Sequence, residues 1–297
     1  MGRERVLREM AAQGVDVLLL GREGNARYVS GAHRLFLAGE RAFAPGCVVV
    51  RETGAVHVLS VTDFGVPSEI SRRNLYAPSW NPAVVVDRVA SIPGVASAAS
   101  VGVDGLTPLF ETLVFSALPD AELVDGEAVM RAARRIKTDE EVEHVRAAAS
   151  VAVAVMDAAL DAVAAGSADE TVKAMAMETM AAAGVTTAAF EPAVVRAADG
   201  RVTVAVGVLR DGWEADLTRT VPGRSQPEPL LSAIDRCRPG ATLSRVAAEV
   251  HGLGLGYEVL DPSGVLEAGM VLSVGIDGAR DTVLVTERTP EVITTLS

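Results

Sequence analysis

Aromatic residues are scarce in this sequence, 4% of 297 residues, and cysteine occurs only as Cys47 and Cys237. Basic residues are outnumbered, 27 Lys and Arg against 39 Asp and Glu. Each shortage excludes something. Two cysteines far apart in the chain make neither a disulfide framework nor a zinc site, and their apolar surroundings predict buried thiols. A formal net charge of −12 with no basic stripe leaves no surface for a phosphate backbone, so nucleic acid is not an expected partner. No apolar run reaches the ~18 residues of a membrane span. The most apolar stretch, residues 151–165, is interrupted by Asp157 and Asp161. The opening MGRERVLREM is too charged for a signal peptide, and a cytoplasmic protein with no membrane partner is expected. There is no G-x-S-x-G elbow, P-loop or H-E-x-x-H, and no repeat of solenoid period.

What is present is an Ala- and Val-rich chain, 49% hydrophobic with a mean hydropathy of +0.29, long enough for one large or two ordinary domains. Apolar spacing predicts a helix over 3–14, a buried strand over 15–20, and a hairpin of 47–50 with 55–60. It also predicts helices over 83–90 and 106–117 around a strand at 100–103. Helix and strand alternate through 1–126, which favours an α/β domain with a covered sheet. From 127 the pattern changes. A short helix over 128–136 precedes Thr138, an N-cap with Glu141 as its capping box, which starts a helix running to about 165. Ser167 with Glu170 repeats that pattern for a helix ending near Gly184. Strands over 202–209 and 215–221 flank the turn Arg210-Asp211-Gly212. Helices over 229–238 and 243–250 and strands over 270–276 and 282–286 close the chain.

Five segments of the second half occur in a recognisable order: Lys137-Thr138-Asp139-Glu140-Glu141, Gly212 to Thr220 (GWEADLTRT), His251-Gly252-Leu253-Gly254-Leu255, Gly269-Met270-Val271-Leu272, and Asp281 to Glu287 (DTVLVTE). In this order they resemble the creatinase, aminopeptidase P and prolidase superfamily. Asn25 to Gly31 (NARYVSG) is similar to an N-x-x-Y-x-x-G segment of that superfamily's first domain. The resemblance implies a pita-bread α/β (α+β) domain at 127–297, preceded by an α/β creatinase-like N-terminal domain at 1–126.

The resemblance also implies a site of two divalent metals held by two Asp, one His and two Glu. Carried over residue by residue, the second Asp falls on Asp216 and the His on His251. The first Asp falls on Ala205 and the two Glu on Gly275 and Arg280, so three ligands are absent and one is replaced by a cation. Two substrate-handling histidines are also missing: none lies between Pro192 and Ala205, and Tyr257-Glu258 stands where a His-Glu is found. No metal and no cofactor is therefore expected, unless the register slips onto Asp211, Asp277 or Asp281.

The site residues expected on this reading are His251 and Asp216 as catalytic candidates, and Arg280, Glu258, Tyr257, Asp281 and His33 as ligand-binding candidates. Arg280 is expected to take the place of the metals by pairing with Asp216, with Asp281 as a further partner. Arg219 is read as structural, His144 as a surface residue and Trp213 as packing. Two functions follow. The first is an Xaa-Pro peptidase homologue that has lost metal-dependent hydrolysis and uses the old cleft for a small ligand, a peptide or a partner. The alternative is a metal-free enzyme acting on a small amide or amino-acid-derived substrate, with His251 as acid/base. A homodimer, or a heterodimer with a paralogue, is implied by the resemblance.

Overall fold

The computed structural model describes residues 2–32, 45–222, 226–246, 248–261 and 263–296. The chain divides into two compact units, 1–134 and 135–297. The division lies past the expected 126/127 because the amphipathic helix α5 (Gly126–Arg134) buries Val129, Met130 and Ala133 within the first unit.

In the first unit, α1 (Gly2–Gln13) leads to β1 (Val17–Leu20) and α2 (Glu23–Ser30). Then come the hairpin β2 (Cys47–Val50) and β3 (Ala55–Leu59), β4 (Leu75–Tyr76), α3 (Pro82–Ala90), β5 (Ser100–Val103), α4 (Pro108–Ala117), β6 (Glu122–Asp125) and α5. The sheet order is β4-β3-β2-β1-β5-β6, with β1 parallel to β5 and antiparallel to β2. Strands such as VLLL and CVVV are buried at every position, as a sheet covered on both faces requires. The N-x-x-Y-x-x-G segment is structural here. Asn25 is fully buried and donates to Asp104 (2.8 Å) and Glu127 (2.7 Å), Tyr28 donates to the Ala133 carbonyl (3.0 Å), and Gly31 caps α2 at φ 66°.

The second unit opens with α6 (Asp139–Ala164) and α7 (Asp169–Ala182). Thr138 and Glu141 form the expected capping box, whereas α7 starts at an Ala168 N-cap with no side-chain bond; the Ser167 carbonyl instead accepts from Arg196. Next come β7 (Ala188–Arg196), β8 (Val202–Arg210), β9 (Trp213–Val221), α8 (Glu228–Asp235) and α9 (Leu243–Val246), then β10 (Glu249–Gly254), β11 (Gly256–Glu258), β12 (Val271–Ile276), β13 (Ala279–Leu284) and β14 (Glu291–Val292). The sheet order is β11-β10-β12-β13-β9-β8-β7, with β14 on β13. The helix expected over 243–250 stops at Val246, and β10 takes up Glu249 and Val250 by pairing them with Gly275 and Val274. Helix α6 is long and apolar enough to cross a membrane by length and composition alone. Its Val151, Ala152, Val155, Met156 and Ala159 are buried in the core against α7, β8 and β9.

Candidate functional site

Strand alternation builds the site on one face of the second sheet. Along β9, Ala215 and Leu217 join the core with α6 and α7, so Glu214, Asp216 and Thr218 face the other way. Along β8, Val204, Val206 and Val208 are core, and Ala205 and Leu209 share the open face. On β12, Leu272 and Val274 are core, which leaves Ser273 and Gly275 for the site. His251 from β10, Tyr257 from β11 and Arg280 from β13 complete it. Phe190, Ala205, Glu214, Asp216, His251, Tyr257 and Arg280 line an open pocket of about 570 Å³, with Ser273 buried beneath it. A second opening of about 530 Å³ shares Thr218 and Arg280 with it and continues past Glu249 and Gly275.

Asp216 lies at the base, 3% exposed. Ser273 Oγ donates to its Oδ2 (2.8 Å), and Arg280 Nη1 donates to Ser273 Oγ (2.8 Å). The other guanidinium nitrogen, Nη2, reaches Glu249 Oε2 (2.8 Å). Burial pushes the Asp216 carboxyl above its ordinary range, against the Ser273 bond and the charge of Arg280. His251 Nε2 is 3.9 Å from Asp216 Oδ2, beyond hydrogen-bond range, and its ring packs on Tyr257 at 4.8 Å. Burial, then the Arg280 charge, lowers the His251 pKa to about 4, so the imidazole is neutral. Glu214 is 8% exposed, and burial beside Asp216 raises it to about 7.

The structure therefore brings together Asp216, His251, Tyr257 and Arg280. Arg280 does not pair with Asp216 directly; it reaches it through Ser273. Asp281 is not in the site: it is the next residue along β13, so it projects from the opposite face. There it is fully buried, pairs with Arg219 (2.6 Å), and accepts from Gln226 and Thr294. Arg219 is thereby structural, as expected. Glu258 is held by Lys137 (2.6 Å) with both side chains largely buried, and it does not line the pocket. His33 lies outside the described residues. His144 is exposed and stacks on Trp213 at 5.5 Å. Both cysteines are buried thiols. The sequence reading missed Glu214, Ser273, Glu249 and Phe190. The i, i+2 spacing of Glu214 and Asp216 on a strand was the available signal, because it puts both carboxyls on one face.

The implied dinuclear centre does not fit these residues. Ala205 and Gly275 offer no donor atom. Gly275 and Arg280 are cross-strand partners, and the guanidinium lies over the glycine: a Cβ there would fall 2.5–2.8 Å from its Nη2, Cζ and Nε. The register is not slipped. Asp211 and Asp277 occupy hairpin turns at φ 52° and 48°, and Asp281 faces away. Among the described residues no group of three or more His, Cys, Asp or Glu could hold a metal ion.

Residues 3–136 match the model of the Creatinase/Prolidase N-terminal domain family. No curated protein matches the sequence. Among solved structures, the prolidase from Pyrococcus furiosus is similar over 99% of both chains, with 19% identity and a TM-score of 0.77. The Xaa-Pro dipeptidase from Bacillus anthracis is similar over 100% of this chain and 97% of that one, with 20% identity and a TM-score of 0.75. An Escherichia coli aminopeptidase P variant is similar over 99% and 95%, with 15% identity and a TM-score of 0.71. At these identities the likeness establishes a shared fold, the creatinase-like first domain followed by a pita-bread domain.

Proposed function

We propose a member of the creatinase/aminopeptidase P superfamily, a reading supported by the N-terminal family match and the shared fold, that lacks metal-dependent peptide hydrolysis and whose cleft binds a small organic ligand. The observation that carries this reading is the Gly275–Arg280 pair. At two positions where carboxylates would hold metals, one side chain is absent and a guanidinium fills its space. A permanent cation bonded through Ser273 to the one remaining Asp opposes a divalent ion at the same place. With Ala205 also lacking a donor, the mechanism that activates water on paired metals has no support in these residues.

A second reading, a metal-free enzyme with His251 as acid/base, is favoured by one observation: His251, Asp216 and Arg280 line an open pocket rather than a packed cluster. Against it, the imidazole makes no hydrogen bond to Asp216 that would orient it. The test is hydrolysis of Xaa-Pro dipeptides by the full chain, with and without added Mn²⁺, Co²⁺ or Zn²⁺. No turnover above the protein-free control is expected in any condition. Metal-stimulated turnover, abolished by chelator, would overturn the proposal.

A further inference from the structure

Glu214 is the group in this cleft whose position the fold does not explain. The residue is 8% exposed, and its side chain lines the pocket and forms no hydrogen bond or ion pair with any described residue. Burying a carboxylate without a partner is costly, and the nearest charged group on its strand, Asp216, has the same sign. Among the described residues, the cation that lines the pocket is committed elsewhere: Arg280 donates to Ser273 and Glu249, and its backbone register is with Thr218, four residues along β9 from Glu214. The wall around Glu214 is aromatic. Phe190 lies across Gly207, where any Cβ would collide with its ring, and Tyr257 packs at a tilt against the neutral His251. Two acidic residues on one strand face, their Cα atoms about 7 Å apart, in a pocket walled by two aromatic rings, describe a receptor for positive charge.

We propose that the cleft takes a small organic cation, an amine whose ammonium group is held by the Glu214 carboxylate, with Asp216 beside it and its apolar body against Phe190 and Tyr257. The inference rests on the reading of the cleft as a metal-free ligand site and adds the chemical class of the ligand. An anionic ligand is disfavoured because, among the described lining residues, it would meet Arg280 alone, which is already bonded to Glu249 and tied through Ser273 to Asp216.

The test is isothermal titration calorimetry of the full chain in amine-free buffer, with benzylamine as the probe and benzyl alcohol and benzoate as its neutral and anionic counterparts. Benzylamine is expected to bind saturably, at least about tenfold more tightly than either counterpart. Glu214→Gln is expected to reduce its affinity to that of benzyl alcohol, and the variant's fold is checked by circular dichroism. Should that variant not fold, the carboxyl carbon signal of Glu214 in the wild-type protein, assigned by selective labelling, is expected to shift on adding benzylamine and not on adding benzoate. Preference for benzoate, unchanged binding in Glu214→Gln, an unmoved carboxyl signal, or no saturable benzylamine binding would overturn the inference. Metal content measured on the same sample separates the two claims: metal-free protein that prefers benzoate refutes only the amine, whereas bound metal refutes the reading beneath it.

Discussion

Burying Glu214 beside Asp216 costs folding free energy that no partner among the described residues offsets, and the cost has a pH signature. Its pKa rises from 4.5 to about 7, through burial first and the charge of Asp216 second. Below pH 4.5 both folded and unfolded chains carry it protonated, and nothing is lost; as pH rises through 7 the folded state bears the full penalty. Glu214→Gln should therefore match the wild type at pH 4 and exceed it by roughly 2–3 kcal/mol at pH 8, read by urea denaturation. Equal stability at both pH values would refute the electrostatic account of this residue. Asp281 gives the opposite case, a buried carboxylate fully partnered by Arg219, Gln226 and Thr294. Asp281→Ala strands the Arg219 guanidinium and should cost about 3–5 kcal/mol; a loss under 1 kcal/mol would contradict the pairing. Asp216 and His251 were legible as site residues because whole segments around them resemble a known pattern. Asp281 was misplaced because sequence adjacency to Arg280 says nothing of the face, and on a strand adjacent residues face opposite ways.

At the scale of elements, the site rests on the β12–β13 hairpin. Its Asp277-Gly278 turn, with both residues at positive φ, fixes Ile276 opposite Ala279 and therefore Gly275 opposite Arg280. That pairing was readable from the two-residue turn, but the strand expected from 282 began too late to reveal it. Gly275→Ala should push the guanidinium off its seat and break the bond to Ser273, with a destabilisation of about 1 kcal/mol. In a double-mutant cycle with Arg280→Ala the two effects should be non-additive by a similar amount; strict additivity would mean that glycine and arginine are not matched. Strand β10 shows where sequence periodicity fails. Residues 243–250 (LSRVAAEV) carry a helical apolar spacing, yet Glu249 and Val250 are claimed by ladder pairing with β12, a partner more than twenty residues away. That strand is what brings His251 beside Asp216, so the local misreading and the site geometry have one cause.

At the scale of the molecule, both units follow from the same composition. Ala and Val at helical and strand spacing fill the cores, and aromatic residues are left to a few places such as the pocket wall. Much of the order of helices and strands was legible, since buried strands such as VLLL and the long capped helix α6 declare themselves by pattern, whereas α2, β6, β7, β10 and β11 were not read. The chemistry was legible only as losses. Ala205, Gly275 and Arg280 could be read as missing ligands, but not that the arginine occupies the glycine's side-chain space, nor that Glu214 lines the same pocket with no ion pair among the described residues. The central claim is that this pita-bread domain has exchanged a metal centre for an internal guanidinium. It is tested most directly by elemental mass spectrometry of protein purified without chelator and then dialysed after exposure to Mn²⁺, Co²⁺ or Zn²⁺. The account predicts no stoichiometric metal under any of the three, and one or two tightly held ions per chain would contradict it.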